Sequence, residues 1–183
     1  MLRVHIMTIN QMLSRMQACD TAICVTVSQT NQYRLIRNWF RIISRLGDGL
    51  FWYTLMLAIL VTQQVDGAKP VLHMLVAGLT GTVIYKWLKA KTHRPRPYQV
   101  RQDVLMSGKP LDHFSFPSGH TLHAVAFGWV ALFYFPLLAF ILIPFIVMVA
   151  MSRVILGLHY PSDVLAGAAI GYAIAQISLG LLF

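Results

Sequence analysis

Three short clusters of polar residues carry the side chains in this sequence that are best suited to chemistry. The first is KAKTHRPRP, in which Lys89 stands seven positions before Arg96. The second is PSGH at 117–120, and the third is SRVILGLHYPSD at 152–163. Singly, PSGH is compatible with a turn, and basic residues near apolar segments usually anchor helices at a membrane surface. Together the clusters supply three cations, two histidines and one carboxylate: Lys89, Arg96, Arg153, His120, His159 and Asp163.

The composition around these clusters is that of a membrane protein. Hydrophobic residues make up 57% of the chain and charged residues 11%, whereas soluble domains have roughly 45–50% apolar and about 25% charged residues. The net charge of +9 is compatible with a nucleic acid, an anionic membrane surface or an anionic substrate as partner. We expect no nucleic-acid partner, because the basic residues flank apolar segments and form no nucleic-acid-binding motif.

Five apolar segments predict an all-α fold, a polytopic membrane helical bundle with about five transmembrane helices. They cover residues 50–65, 70–88, 121–135, 137–151 and 164–183. Several are shorter than the ~20 residues that cross a bilayer, so flanking residues must contribute or the helices must tilt little.

The direction of these segments predicts where the polar clusters meet. If successive segments alternate in direction, the ends at Lys89, Thr121, Met151 and Val164 lie on one face of the membrane. The polar loops that follow or precede these ends then share that face, so that their side chains converge on one site.

The chain divides into an N-terminal amphipathic or interfacial region, residues 1–45, and a membrane-embedded domain, residues 46–183. The stretch YRLIRNWFRIISRL spaces four arginines among apolar residues as in a basic amphipathic helix that lies in the membrane interface. GDG at 47–49 ends this helix. A short apolar run within residues 10–30 leaves a sixth crossing open, which would change the parity of the remaining spans.

The three clusters resemble the signature of the type 2 phosphatidic acid phosphatase superfamily, over roughly residues 45–180. That signature reads K-x6-R-P, then P-S-G-H, then S-R-x5-H-x3-D. This chain matches it in order and with intact spacing at Lys89, Arg96, Pro97, 117–120, Ser152, Arg153, His159 and Asp163. The resemblance implies a helical membrane enzyme that hydrolyses lipid-linked phosphate esters or anhydrides through a phosphohistidine, without a metal or other cofactor. Soluble vanadium haloperoxidases share such a site, but the apolar segments argue against that branch.

The residues of the motifs suit a phosphate seat. A phosphoryl group in transfer spreads negative charge over its oxygens, so catalysis rests on positioning and electrostatic stabilisation. Lys89, Arg96 and Arg153 supply positive charge, and each arginine can bind two phosphate oxygens. Ser118 offers a hydroxyl, and the N–H of Gly119 can approach a phosphate closely at the start of a helix.

The resemblance divides the chemistry between two histidines. His159 is the expected nucleophile, and Asp163 would accept its other ring N–H, fixing the tautomer and stabilising the phosphorylated imidazole. His120 would protonate the leaving oxygen and then activate water. Pro161 suits the first turn of the final helix, which would place Asp163 in that same turn.

The other polar residues carry weaker expectations. Arg94 either holds substrate or anchors the chain at the interface. His123 either lines a lipid entrance or, with better odds, packs in the core. Asp48 is expected to be a turn residue. Four more residues are expected to be solvated loop positions, namely His93, Asp103, Asp112 and His113.

The sequence leaves several alternatives open for substrate and location. Related enzymes act on phosphatidic acid, phosphatidylglycerophosphate, undecaprenyl diphosphate or lipid A phosphates, and the compact chain slightly favours a linear lipid such as a polyprenyl diphosphate. A bacterial inner membrane is expected. The resemblance favours a periplasmic catalytic face, whereas the positive-inside rule favours a cytoplasmic one.

Two rival hypotheses for the function of the chain remain, and the sequence does not determine its oligomeric state. A catalytically silent lipid-phosphate binder or scaffold has no need of a nucleophile with its orienting carboxylate. A basic amphipathic protein of the membrane surface leaves the loop motifs unexplained. We therefore expect a lipid phosphatase whose partners are a lipid phosphate or diphosphate and the bilayer.

Overall fold

The computed structural model describes residues 2–182, and their side chains from residue 11 to residue 181. The regular structure of these residues is helical, which confirms the predicted all-α class. The main helices are α1 Leu2–Ser28, α2 Arg34–Arg45, α3 Phe51–Gln63, α4 Ala68–Thr92, α5 Pro97–Val100, α6 Gly119–Tyr134, α7 Ala139–Ile155 and α8 Pro161–Leu182. The predicted N-terminal amphipathic region includes residues 1–10, whose side chains lie outside the described ones.

Each of the five predicted spans corresponds to a helix, but two helices continue beyond their predicted C-terminal ends. The helix α4 continues past residue 88 to Thr92 and ends where His93 adopts a left-handed conformation with φ 47°. The helix α7 likewise continues to Ile155, because no glycine intervenes before Gly157 with φ 71°. Lys89 and Arg153 therefore lie on last helical turns, where the backbone holds them, rather than in loops.

Three stretches of the described chain are long and apolar enough to cross a membrane. They are Arg34–Val100, which contains α2 to α5, and then Pro136–Ile155 and Pro161–Leu181. The helix α6 has 16 residues and is therefore about 24 Å long, a little short of the ~30 Å hydrocarbon core. The helix α1 fills the region in which a sixth crossing was left open, but it is not among these three stretches.

The centre of the bundle is α6, which packs against α4, α7 and α8. The helices α6 and α8 approach most closely at glycines. A Cβ added to Gly167 would lie 2.5 Å from the carbonyl oxygen of Ser118, and Gly171 faces the carbonyl of Leu122 in the same way. Small residues let helix backbones meet in a membrane. This close packing fixes the beginning of α6 against the beginning of α8, which brings the second and third motifs together.

The N-terminal region is tied to the rest of the fold by buried polar contacts. The side-chain amide of Asn31 donates to the carbonyls of Leu105 and Ile155, at 2.8 and 2.6 Å. Asp20 of α1 is 4% exposed and lies against the start of α8. In the helix α2, Leu35 is 87% exposed while Ile43 is buried, so its apolar residues are divided between the surface and the core. Its position in a membrane interface stays a prediction.

Candidate active site

A cavity of about 280 Å³ brings residues of all three motifs together. Its polar wall is formed by Asp48, Thr82, Lys89, Arg96, Asp112, Gly119, His120, His123, Arg153 and His159. The predicted meeting of the two polar loops on one face is therefore what the structure shows. The opposite wall is apolar and aromatic, and its members come from α3, α4 and α6: Trp52, Tyr53, Leu75, Leu79 and Phe127.

Two of the three predicted cations meet at one carboxylate. Nζ of Lys89 lies 2.7 and 2.8 Å from the two carboxylate oxygens of Asp112, and Nη2 of Arg96 lies 2.8 Å from Oδ1. Asp112 does lie in a loop, with its side chain 36% exposed, but the expectation of a merely solvated residue missed its pairing with two cations. Burial would raise the pKa of the Asp112 carboxyl, but Lys89 and Arg96 outweigh this effect and hold it below its usual value. The carboxylate occupies the kind of position that a phosphate oxygen would take.

Arg96 is held rigidly by its neighbours. Its backbone N–H donates to Oε1 of Gln99 at 2.8 Å, at the start of the short helix α5. Its side chain donates from Nε to the backbone carbonyl of Asp112 at 3.1 Å and from Nη1 to the carbonyl of Leu158 at 2.8 Å. The guanidinium is almost completely buried. A buried arginine with fixed orientation is a preorganised anion binder.

The third cation, Arg153, is buried and incompletely satisfied. Its Nη1 donates to the hydroxyl of Ser44 at 2.5 Å, but its buried Nε has no hydrogen-bond partner. Buried polar atoms are nearly always hydrogen-bonded. Because Arg153 lines the cavity, the vacant donor fits an anion placed there.

His159 lies in the short turn between α7 and α8, with its ring buried. Nε2 lies 3.3 Å from Nη1 of Arg96, and an arginine can only donate, so Nε2 must be the unprotonated nitrogen. The proton is therefore on Nδ1. Burial, with the charges of Arg153 and Arg96, lowers the pKa of His159 well below its usual value. A neutral imidazole with an unprotonated Nε2, which here accepts from Arg96, is the form that a nucleophile requires.

Asp163 lies next to His159, but the expected hydrogen bond between them is not formed. Its Oδ2 is 3.6 Å from Nδ1 of His159, slightly beyond hydrogen-bonding distance, and Nδ1 has no other partner. The same oxygen accepts the backbone N–H of Tyr160 at 2.9 Å. The helix α8 begins at Pro161 with Asp163 in its first turn, in agreement with the expected helix start.

His120 has a partner that sequence reasoning missed. Its Nε2 contacts a carboxylate oxygen of Asp48, which lies in the irregular turn Leu46–Leu50 between α2 and α3. Asp48 was expected to be only a turn residue. The turn is real, because Gly49 has φ 138°, but it also presents the carboxylate to the cavity. No motif or fixed spacing links positions 48 and 120, so this pair could not be predicted from the sequence.

The two small residues before His120 behave differently. Gly119 lines the cavity, next to the ring of Tyr85. The hydroxyl of Ser118 is fully buried and lies 3.0 Å from the hydroxyl of Thr121, and Ser118 is not among the described residues that line the cavity. Its backbone N–H donates to the carbonyl of Asp163 at 3.0 Å. In this arrangement Ser118 joins α6 to α8, and its expected hydroxyl contact with phosphate stays a prediction.

Arg94 fulfils neither of its expected roles. Its guanidinium lies 2.6 Å from Oδ1 of Asp163 and 2.8 Å from Oδ2 of Asp20, and it stacks on the ring of Tyr160 at 4.2 Å. It is thus an internal ion-pairing residue. Arg94 lies two positions before Arg96 in the chain, and this spacing does not predict its contacts with the two carboxylates and the tyrosine ring.

The remaining histidines and Asp103 follow their expectations more closely. His123 lines the cavity, and its ring also bonds the hydroxyl of Thr82 at 3.1 Å and the carbonyl of Gly119 at 2.8 Å, which combines both expected roles. His93, Asp103 and His113 are exposed. Among the residues whose side chains are described, no three His, Cys, Asp or Glu lie close enough together to hold a metal ion.

A family model for the PAP2 superfamily matches residues 70–183, well over half of the chain. The chain belongs to the PAP2 superfamily. The match contains Lys89, His120 and His159, whereas Asp20 and Asp48 precede it. The PAP2 domain therefore supplies the three motifs, and two carboxylates that contact the motif residues or their neighbours come from helices outside the matched segment.

Curated relatives in the PAP2 superfamily are lipid phosphatases. The undecaprenyl-diphosphatase BcrC of Bacillus subtilis is 31% identical over 70% of this chain and 64% of its own length. The lipid A 1-phosphatase of Rhizobium etli is 36% identical over 52% of this chain and 46% of its own length. The undecaprenyl-diphosphatase of Sulfolobus acidocaldarius is 31% identical over 81% of this chain and 72% of its own length. The chain thus spans less than two thirds of the first two relatives.

Two solved PAP2 structures share the fold. A transmembrane PAP2-type phosphatidylglycerolphosphate phosphatase from Bacillus subtilis has a TM-score of 0.71 and 26% identity, over 90% of this chain and 85% of that structure. LpxE of Aquifex aeolicus has a TM-score of 0.73 and 28% identity, over 85% of this chain and 92% of that structure. These likenesses confirm the transmembrane helical bundle.

Proposed function

We propose that this PAP2 protein is a membrane enzyme that hydrolyses a lipid-linked phosphate monoester or diphosphate through a phosphohistidine on His159. One observation carries the proposal: a buried neutral imidazole faces a cavity that also contains three cations and a second histidine. A catalytically silent binder would use the cations alone. The aligned nucleophile, its carboxylate Asp163 and the partnered His120 favour catalysis.

In the first step the phosphate enters between the cations and His159. Arg96, Arg153 and Lys89 neutralise its oxygens, and Gly119 lines the same space. The lone pair on Nε2 of His159 attacks phosphorus in line, and the bond from phosphorus to the lipid oxygen breaks. His120 gives a proton to that oxygen.

In the second step water replaces the histidine. His120, now unprotonated, takes a proton from a water molecule whose oxygen attacks phosphorus. The bond between phosphorus and Nε2 breaks, phosphate leaves and His159 returns to its neutral form. Asp163 faces Nδ1 throughout, so its negative charge stabilises the imidazole while the ring carries the phosphoryl group.

The apolar wall of the cavity supports a lipid substrate. Leu75 and Leu79 of α4 line the cavity and are also 40% and 68% exposed on the outer surface. A chain of carbon atoms can therefore pass from the cavity along α4 towards surrounding lipid. Among lipid substrates we favour a polyprenyl diphosphate, because two relatives that align with 70% and 81% of this chain are undecaprenyl-diphosphatases.

We propose that the protein resides in a bacterial inner membrane with the cavity facing the periplasm. The family resemblance supports this side. The four arginines of α2 argue for the opposite side under the positive-inside rule, and α2 lies on the cavity side because its Ser44 binds Arg153. The variant His113→Cys, made without Cys19, tests the orientation. A membrane-impermeant maleimide should label it in cells with a permeabilised outer membrane, and labelling only after lysis would place the cavity in the cytoplasm.

The activity itself is tested with purified protein in detergent. Undecaprenyl diphosphate, phosphatidic acid, phosphatidylglycerophosphate and a lipid A phosphate are compared, and rapid quenching with mass spectrometry locates the phosphoryl group. We expect turnover and phosphate on His159, and loss of both in His159→Ala. The exposed loop variant His113→Ala serves as a matched control. Residual activity of His159→Ala above about a tenth of the unmodified protein would refute the nucleophile, because its loss should cost several decades.

A further inference from the structure

Behind the proposed nucleophile lies a chain of charges that reaches the N-terminal helix. Asp163 faces His159, Arg94 lies 2.6 Å from Oδ1 of Asp163, and Asp20 of α1 lies 2.8 Å from Nη2 of Arg94. The two carboxylates are 0% and 6% exposed at their side chains, and the guanidinium is 22% exposed. These groups are therefore shielded from water, which leaves their mutual electrostatic interactions strong.

We propose that Asp20 and Arg94 are positioning residues that set the charge and the orientation of Asp163 for phosphorylation of His159. The proposal rests on the phosphohistidine mechanism above and extends it to a helix outside the residues that match the family model. It assigns α1 a part in the chemical step through the charge on Asp20.

Arg94 alone would hold the Asp163 carboxylate in place but would also neutralise the negative charge of Asp163. The guanidinium holds Oδ1 while the backbone N–H of Tyr160 holds Oδ2 at 2.9 Å, so the carboxylate cannot rotate away from His159. The stacking of Arg94 on the ring of Tyr160 fixes the plane of the guanidinium. An ion pair of Asp163 with Arg94 is nearly neutral, however, and would offer little to an imidazole that becomes cationic when phosphorylated.

Asp20 restores the missing negative charge. With one guanidinium and two carboxylates, the group formed by Asp20, Arg94 and Asp163 carries a formal charge of −1. Asp20 is itself held by Ser162, whose backbone N–H donates to Oδ1 at 3.0 Å and whose hydroxyl donates to Oδ2. The group therefore keeps Asp163 in place and leaves a net charge that stabilises the phosphorylated ring.

The test is the rate of phosphoenzyme formation in a single turnover of the purified full-length protein with undecaprenyl diphosphate. Asp20→Asn keeps the shape and the hydrogen-bond acceptor but removes the charge. We expect phosphoenzyme formation to slow by about tenfold or more, because one unit of negative charge is removed from a water-shielded group near an imidazole that becomes cationic, with little change in the substrate concentration that gives half the maximal rate. Asp20→Glu keeps the charge and should retain most of the rate. Asp20→Ser is a second uncharged variant and should behave as Asp20→Asn does.

The matched control is Asn31→Ala, which removes another buried tether of the N-terminal region without changing any charge. We expect Asn31→Ala to lower the melting temperature while forming phosphoenzyme at nearly the rate of the unmodified protein. Equal slowing in Asn31→Ala and Asp20→Asn would show that α1 merely docks, and an unaltered rate in both uncharged variants would also overturn the proposal. If the unmodified protein turns over without phosphate on His159, the proposed function fails, and this inference fails with it.

Discussion

The carboxylate of Asp48, which lies in the turn that joins α2 to α3, contacts Nε2 of His120. The contact links a residue outside the three motifs to the proposed acid–base group, and both residues line the cavity. A carboxylate that bonds an imidazole nitrogen holds the proton on that nitrogen and orients the ring. Asp48 thus has the position of an orienting partner for His120, as Asp163 has for His159.

The pairing of Asp48 with His120 predicts non-additive kinetics. Asp48→Asn should lower kcat on a lipid monoester by about tenfold or more, because His120 loses its proton-holding partner. In the double variant with His120→Ala, the additional loss from Asp48→Asn should nearly vanish, since residues that act as a unit do not contribute independently. A double-mutant cycle on purified protein measures this coupling. Fully additive losses would show that Asp48 acts without His120.

The lowered pKa of His159 predicts an unusual pH profile for phosphoenzyme formation. Protonation of Nε2 removes the lone pair that attacks phosphorus, so the rate falls when the pH drops through the pKa of His159. Because burial and Arg153 lower that pKa, the acid limb should lie below the ordinary histidine value of about 6.5. The measurement is the single-turnover burst from a lipid diphosphate, which depends least on a proton from His120. An acid limb at or above the ordinary value would contradict a neutral His159.

The position of Asp112 predicts that its substitution changes the binding of inorganic phosphate. The Asp112 carboxylate forms ion pairs with Lys89 and Arg96. Its negative charge therefore repels a phosphate that approaches the same cations. Lys89 also donates to the carbonyl of Phe114 at 3.0 Å, and Arg96 keeps its bond to Leu158, so both cations remain placed in Asp112→Asn. Competitive inhibition by phosphate should therefore tighten, by about three- to tenfold for the loss of one nearby like charge. Weaker inhibition in the variant would mean that Asp112 chiefly positions the cations.

The sequence was sufficient for the parts of the site that depend on local spacing. Pro161 and Asp163 lie within one helical turn, and the five apolar segments follow from composition alone, so these features appear in the structure as expected. The alternation of the spans also placed Lys89 and Arg153 on one face. Each of these inferences uses either a fixed local offset or the length of an apolar run.

The parts that sequence reasoning missed depend on long-range packing. Asp20, Asp48 and Asp112 each meet a partner that lies 16 or more positions away in the chain, and nothing in local spacing identifies such partners. With few acidic residues in an apolar chain, the sequence predicts only a turn position for Asp48 and a loop position for Asp112, and it predicts no role for Asp20. In the folded protein, however, buried cations require counter-charges, and these carboxylates supply that negative charge near the site.

The three cations predict that activity does not depend on a divalent metal. Lys89, Arg96 and Arg153 converge where Mg²⁺ would otherwise neutralise phosphate oxygens. Activity on a lipid monoester should survive prolonged dialysis against EDTA. As a matched comparison, Arg153→Met should lose about 10²-fold or more in kcat, which added Mg²⁺ should not restore. Loss of activity in EDTA with recovery on addition of Mg²⁺ or Mn²⁺ would refute the prediction.

The role of His120 predicts a difference between two classes of substrate. A lipid monoester must expel an alkoxide, which needs a proton in the transition state, whereas a lipid diphosphate expels a phosphate that leaves readily without one. If His120 is the general acid, His120→Ala should slow phosphoenzyme formation from a monoester by about 10²–10⁴-fold and much less from a diphosphate. Steady-state rates would obscure this difference, because the same residue activates water in the second step for both substrates.

The decisive measurement is therefore the single-turnover burst of lipid product with each substrate class, together with the phosphate trapped on His159. In His120→Ala we expect phosphohistidine to accumulate from the diphosphate, since its formation is preserved while its hydrolysis is slowed. The variant His93→Ala, which alters an exposed histidine outside the described lining of the cavity, serves as control. An equal loss of burst rate on both substrates would show that His120 mainly binds phosphate, because a binding residue acts on both substrates alike whereas a general acid acts on the poorer leaving group.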